Sequence, residues 1–357
     1  MINVPLRTCA QDLFLVLKRF KSYEVIQLSM NGNRKVLAGI VVAIVVVVLV
    51  VVSMNQTPPP QNANLTDFPD FYTKNEDYYI TRIDGVPNVN RDTYRLEITG
   101  LVDNPRSFTL EELQALNLTD LPLTIECIGN TKNGKLVSTA IWRGFNVYDL
   151  LDSLGISAGA TGVKYTAADG YYASHTLDQL QNNGVLGSLY MNGVELPPVQ
   201  GFPLRILNPG YYGIKQPAWV IGIEVINTPL EDYWQDRGWD TSPPMDIDSK
   251  IFFPTSYVRI NVSESLRIGG CAFGGTRVKL VEYTTDDGAT WHNVPIIQQI
   301  DADNVWVFWE VYVNFSTAGG YSLQIRATDI NDNQQVQVDL DPLDGTSSWP
   351  LLIIDVV

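Results

Sequence analysis

The run from Val36 to Val52 is almost wholly aliphatic, with Ala38, Gly39 and Ala43 as its smallest residues. With Ser53 and Met54 it approaches the roughly 20 residues a helix needs to span a bilayer. It is apolar on every face, whereas a helix lying on a globular core keeps a polar face. Arg34 and Lys35 precede it, and Asn55, Gln56 and Pro58-Pro59-Pro60 follow. The bias of basic residues toward the cytoplasmic side sets the expected topology. Residues 1–35 are a cytoplasmic segment, 36–54 an uncleaved signal anchor in the cell membrane, and the bulk of the chain is extracytoplasmic. No small-x-small cleavage pattern follows the run.

Details of this region stay open. Asn33-Arg34-Lys35-Val36-Leu37 loosely resembles a twin-arginine export signal with Lys in place of the second Arg, and Met30 is an alternative start. Sequons at Asn55, Asn64, Asn117, Asn261 and Asn314 permit glycosylation in a host with the machinery.

Composition excludes several classes. A net charge of −15 argues against nucleic acid, whose phosphates demand Lys and Arg. The 3 cysteines (Cys9, Cys127, Cys271) form no C-x-x-C or C-x-x-C-H, and there are only 2 histidines, His175 and His292. Zinc knuckles, covalent haem and bis-His haem are therefore not expected.

The chain divides by pattern. Residues 55–66 form a polar, proline-rich linker. Residues 67–245 mix strands with short helices, an α+β domain. Tyr94 to Gly100 alternates as a strand does. Thr109 to Leu116 reads as a helix with Thr109 as N-cap and Glu112 at the capping-box spacing. Asn146 to Leu154 and Leu177 to Asn182 read as two more. Thr241-Ser242-Pro243-Pro244 marks a boundary. From residue 250 to 357 strands recur at regular spacing (Tyr257 to Val262, Arg277 to Thr284, Val305 to Asn314, Tyr321 to Asp329), with a hairpin signal at Asp287-Gly288. This is the pattern of an immunoglobulin-like β-sandwich.

Cys127 lies in Thr124-Ile125-Glu126-Cys127-Ile128-Gly129-Asn130, at the end of an apolar strand-like stretch and before a Gly-Asn turn. A thiol on a strand-end loop suits a soft metal; taken alone it reads equally as an inert buried cysteine or as half of a disulfide with Cys271. The surrounding order adds to it: Ser138-Thr139-Ala140, Ala168-Asp169-Gly170-Tyr171, Met191-Asn192-Gly193, Gly201-Phe202-Pro203-Leu204-Arg205, Asn208-Pro209-Gly210 and Trp219, then Asp286-Asp287-Gly288 with Trp291, Trp306 and Trp309. From Phe68 to Val357 this set resembles the molybdopterin-binding and C-terminal domains of the sulfite oxidase family.

The resemblance implies a molybdenum–molybdopterin cofactor, or its tungsten variant, with Cys127 as the protein ligand to the metal. It implies that Asp169 and Arg205 bind the pterin and its phosphate end, with Asn130, Gln200 and Lys215 beside them. Gln200 stands where the family often has His. Around the substrate, Lys132 and Lys74 fall near family arginine positions; they keep the charge but lose the forked geometry suited to an oxyanion. Arg237, Trp239 and Tyr212 are further candidates for the mouth. The implied activity is two-electron oxygen-atom transfer: oxidation of a small oxo-anion such as sulfite, or reduction of a sulfoxide or N-oxide. Electrons are exchanged with an external cytochrome, cupredoxin or membrane quinone system; dimerisation through the C-terminal domain, which occurs in some relatives, stays open. A cofactor-free cell-surface binding or adhesion protein on the same fold is the alternative.

Overall fold

The computed structural model describes residues 65–357, apart from 230–231, 256, 342 and 346. The expected cytoplasmic segment, the signal anchor at 36–54, most of the linker and the Asn55 and Asn64 sequons lie outside the described residues. Among the described residues no helix is long and apolar enough to cross a membrane.

The first domain is mostly β. In chain order its elements are β1 (Leu96–Gly100), β2 (Arg106–Phe108), α1 (Leu110–Gln114), β3 (Thr119–Glu126), β4 (Val137–Asn146), α2 (Val147–Ser153), β5 (Gly162–Ala167), β6 (Tyr172–Thr176), α3 (Leu177–Asn182), β7 (Leu186–Met191), β8 (Val194–Glu195), β9 (Arg205–Leu207) and β10 (Val220–Ile226). One sheet runs β2-β1-β10-β5-β6, and the other runs β3-β4-β7-β8 with β9 on β7. Only β1 and β10 in the first sheet run parallel.

The three helices begin where their caps dictate. Thr109 accepts from the Glu112 amide while the Glu112 carboxylate takes the Thr109 amide, and Thr176 with Gln179 repeats this reciprocal box. Asn146 caps α2 through the Asp149 amide, and Gly155 beyond it takes the left-handed φ of 79° that lets the chain turn away. Leu110, Leu113, Val147, Leu150, Leu151 and Leu180 face a core shared with Leu96, Ile98, Val163, Tyr165 and Ile223. Each such side chain removed from water contributes roughly 1.5–3 kcal/mol.

The second domain is a two-sheet sandwich. Its strands are β11 (Asp248–Phe253), β12 (Val258–Ile260), β13 (Ser265–Phe273), β14 (Val278–Thr284), β15 (His292–Val294), β16 (Ile296–Gln298), β17 (Val307–Asn314), β18 (Gly319–Asp329) and β19 (Leu351–Val356). The sheets are β11-β13-β17-β16 and β12-β19-β18-β14-β15. Ile268, Val281, Trp309, Leu323, Ile325 and Ile354 meet between them. The β14–β15 hairpin turns at Asp287 (φ 56°) and Gly288 (φ 90°), two successive positive φ values that favour Asx-Gly.

A separate aromatic core welds the domains. Phe68, Phe71, Ile128 and Tyr212 pack with Cys271, Phe273, Trp306 and Phe308. Hydrogen bonds fix the register: the Thr124 amide of β3 donates to Asn304 O (2.9 Å), and the Trp306 amide donates to Thr124 Oγ1 (2.8 Å).

His175 on β6 is fully buried. One ring nitrogen lies 3.0 Å from Lys215 O and the other 3.1 Å from the Tyr165 hydroxyl. A carbonyl only accepts, so Nε2 carries the proton and Nδ1 accepts from tyrosine. Burial, reinforced by the Lys215 charge, pushes the imidazole down to about 3. The unfolded chain protonates this residue near pH ~6.5, so below that value it binds a proton that the folded chain refuses. Stability is therefore lost as pH falls from about 6.5 toward 3. His175→Gln should be less stable at pH 7 in thermal unfolding, yet decline less on acidification; parallel pH profiles for the two proteins would refute this.

Candidate functional site

Strand β3 delivers Cys127 to the mouth of a cleft. The Cys127 amide still donates to Leu136 O (2.9 Å), continuing the β3–β4 ladder by one step. The chain then turns, with the Asn130 amide on Cys127 O (2.8 Å) and the Gly134 amide on Thr131 O (2.7 Å). Asn130 is buried and staples this loop: its Nδ2 donates to Glu126 Oε1 (2.9 Å) and its Oδ1 accepts from the Leu136 amide (3.1 Å). The loop thus has little freedom, and the thiol projects from a fixed backbone.

Cys127 and Cys271 are both free, so the disulfide between them does not form. Cys271 is fully buried, whereas Cys127 is only partly so. Burial pushes the Cys127 thiol up, while hydrogen bonds from the Gly129 amide and the Thr81 side chain pull it back. The thiol form is therefore favoured by its surroundings, yet two donors favour the thiolate once a cation compensates it.

The cleft has a volume of about 280 Å³, close to the lower end of the range for small-molecule and cofactor sites. Cys127, Asp169, Gln200 and Arg205 line it together. Asp169 holds its turn by accepting the Tyr171 amide (3.0 Å). Gln200 is buried; its Nε2 donates to Tyr78 O (3.3 Å) and its backbone carbonyl accepts from Arg205 Nη1 (3.2 Å). Arg205 lies over the Trp142 ring (5.4 Å) and has a buried Nε without a hydrogen-bond partner. A buried, unsatisfied guanidinium donor is costly, and a bound anion relieves that cost. Gly213 lets the opposite wall come close, since a Cβ there would lie 2.9 Å from the Tyr79 hydroxyl.

The other expected site residues lie elsewhere. Asn130 does not line the cleft; its side chain is used inside the loop. Lys215 is buried and ion-paired with Asp232, and also donates to Ser174 O (2.9 Å). Lys74 is exposed beside Asp70 (3.1 Å), and Lys132 is half-buried; neither lines the cleft. Of the additional candidates Trp239 lines the cleft, Arg237 covers the exposed face of Tyr233 (3.5 Å to the ring centre), and the buried Tyr212 hydroxyl accepts from the Asp246 amide (3.3 Å).

Two residues that sequence reasoning passed over, Arg82 and Trp234, complete the site with Trp219 of the motif set. Arg82 is an exposed cleft residue on the extended segment before β1, with no hydrogen bond or ion pair of its own among the described residues. Trp234 joins Trp239 on the wall, their rings 6.4 Å apart. Trp219 has a left-handed φ of 54°, held by its indole N–H on Pro198 O (2.7 Å). Such a conformation costs a non-glycine residue of order 1–3 kcal/mol and is concentrated at ligand sites. A single basic residue in the apolar stretch Tyr79-Ile80-Thr81-Arg82-Ile83 was the available signal for Arg82; nothing local marked Trp234.

The oxidoreductase molybdopterin binding domain matches residues 83–234, and the Mo-co oxidoreductase dimerisation domain matches residues 241–348. The chain belongs to the sulfite oxidase family of molybdopterin oxidoreductases. It is 27% identical to mitochondrial sulfite oxidase of Drosophila melanogaster over 73% of this chain and 53% of that protein. It is 26% identical to NADH nitrate reductase of Ulva prolifera over 73% of this chain and 37% of that protein. The chain thus spans a third to about half the length of these relatives. The crystal structure of the sulfane dehydrogenase SoxCD from Paracoccus pantotrophus shares the fold, with a TM-score of 0.65 at 20% identity over 74% of each chain.

The residues present fit the family's cofactor, molybdenum–molybdopterin. Cys127 offers a soft donor at one end of the cleft, and Arg205 offers an unpaired buried donor for an anion. Replacing Arg205 by Met should reduce the pterin retained through gel filtration severalfold while leaving the Cys127 loop intact; unchanged retention would remove Arg205 from the binding set.

Proposed function

We propose that this protein is an extracytoplasmic molybdenum oxidoreductase of the sulfite oxidase type, anchored in the cell membrane by residues 36–54. The observation that carries the reading is the Cys127 thiol opening on a cleft with Arg205 and Arg82. When bound, the molybdenum–pterin group supplies a two-electron centre that exchanges an oxygen atom with substrate. Cys127 serves as its protein ligand, releasing the thiol proton on binding. Arg205, Asp169 and Gln200 hold the pterin end. Trp234, Trp239 and Tyr171 line the wall, and Arg82, exposed at the mouth, attracts an anionic group toward it.

The substrate in this reading is a small oxo-anion such as sulfite, or a sulfoxide or N-oxide in the reverse direction. Arg82, rather than Lys74 or Lys132, is the group assigned to it. A forked guanidinium binds an oxyanion through paired donors, which neither lysine offers. Two electrons pass to or from an external carrier such as a cytochrome, cupredoxin or membrane quinone system. The second domain, an immunoglobulin-like sandwich, joins two copies in a homodimer. The alternative of a cofactor-free adhesion protein leaves the cleft and its unpaired Arg205 Nε without a purpose.

Steady-state assays with sulfite and with a neutral sulfoxide test this reading. Cys127→Ser should abolish turnover of whichever substrate the enzyme uses. Arg82→Gln should raise KM for the anion roughly tenfold, equivalent to about 1.4 kcal/mol, and leave a neutral substrate nearly unaffected. Retained turnover in Cys127→Ser would sink the ligand assignment, and an unchanged KM for the anion would sink the role of Arg82.

A further inference from the structure

Lys250 belongs to β11 of the second domain, but its ammonium reaches the base of the cysteine loop. Its Nζ lies 3.1 Å from Glu126 Oε1 and 2.6 Å from Asp248 Oδ2, and donates to Thr131 O at 3.1 Å. Lys250, Glu126 and Asp248 are each 1% exposed. Glu126 immediately precedes Cys127, and Thr131 follows the Cys127–Asn130 turn. A single cation thus grips the loop on both sides of the thiol. Asn130 tightens the same grip, since it donates to the same Glu126 oxygen at 2.9 Å.

Domain adhesion does not call for this arrangement. The aromatic core of Phe68, Phe71, Phe273, Trp306 and Phe308 already joins the two domains. A buried ion pair stabilises a fold little compared with apolar residues of the same volume, and its better-attested use is to fix one register. Here two carboxyl groups face one lysine, and Glu126 Oε2 has no hydrogen-bond partner. Geometry rather than stability is what the cluster supplies.

We propose that Lys250 is a positioning residue for Cys127, so that the second domain sets the placement of the thiol in the first. The inference rests on the reading of Cys127 as a metal ligand. The sandwich is then a working part of the site as well as a partner-binding module. Lys250 touches neither substrate nor the Cys127 sulfur; it acts through Glu126 and the Thr131 carbonyl.

The test uses the full chain, three variants at the cluster and Cys127→Ser. Lys250→Arg keeps a cation and donors. Lys250→Met removes them but leaves buried unpaired carboxylates, which alone threatens folding. Lys250→Met combined with Glu126→Gln and Asp248→Asn removes all three ionisable groups and keeps the fold testable. In the cofactor-free protein, alkylation of Cys127 by iodoacetamide is followed by peptide mass spectrometry, alongside hydrogen exchange across residues 127–136. In the loaded protein, the molybdenum K-edge spectrum is recorded. The expected result is a severalfold faster alkylation and exchange and an altered edge spectrum in the triple variant, with Lys250→Arg close to wild type. A folded triple variant whose loop exchange, Cys127 alkylation and edge spectrum all match wild type overturns the proposal. Faster alkylation and exchange combined with an edge spectrum that Cys127→Ser leaves unchanged overturns the ligand reading instead, and leaves the positioning of the loop standing.

Discussion

Strand β3 is held from two directions, and the site depends on that. On one edge it pairs with β4 from Thr119↔Gly144 to Glu126↔Val137. Mid-strand, Thr124 exchanges hydrogen bonds with Asn304 and Trp306 of the sandwich. A strand fixed this way leaves no play at its C-terminal end, where the next residue is Cys127. A ligand tolerates only small misplacement before affinity suffers, so rigidity belongs on strands rather than on free loops.

The electrostatics of the molecule are arranged against its net charge. The chain carries −15 overall, yet the cleft gathers Arg82 and Arg205. Net charge governs solubility and long-range encounter, whereas binding follows the local field inside a low-dielectric cleft. The buried lysines serve other ends. Lys215 is committed to Asp232, which also accepts from the Ser174 amide (2.6 Å) and the Thr241 hydroxyl (2.6 Å). That node ties β6 to the segment bearing Trp234 and Trp239, so Lys215 shapes the aromatic wall from behind.

What could be read from the sequence, and what could not, divides by range. The capping box at Thr109, the helix from Leu177 to Asn182 and the Asp287-Gly288 turn were legible because their signals lie within a few residues; the box at Thr176 was not read. Strand β13 was missed because Gly269, Gly270 and Cys271 weaken its pattern; the structure needs those glycines where a Cβ would strike Phe253, Phe68, Trp309 and the Lys250 carbonyl. Among the site residues, Cys127, Asp169, Gln200 and Arg205 were placed by motif order and do converge on one cleft. Lys74 and Lys132 were chosen for charge at approximate positions, but a cleft is decided by direction, and the extended segment at Tyr79–Ile83 aims Arg82 into it instead. The ion pairs of Lys215 and Lys250 join residues that sequence spacing does not relate. Residues 36–54 lie outside the described residues, so the anchor remains a reading of sequence alone.

The central claim is that this chain holds a molybdenum–pterin group through Cys127. The most direct measurement is metal and pterin content of the full chain, expressed in a host that makes molybdopterin. Molybdenum and tungsten are quantified by mass spectrometry and the pterin by fluorescence after oxidation. The account predicts close to one metal and one pterin per chain, both lost on release of the cofactor. A folded chain that carries neither, and takes up neither when loaded in vitro, would contradict it.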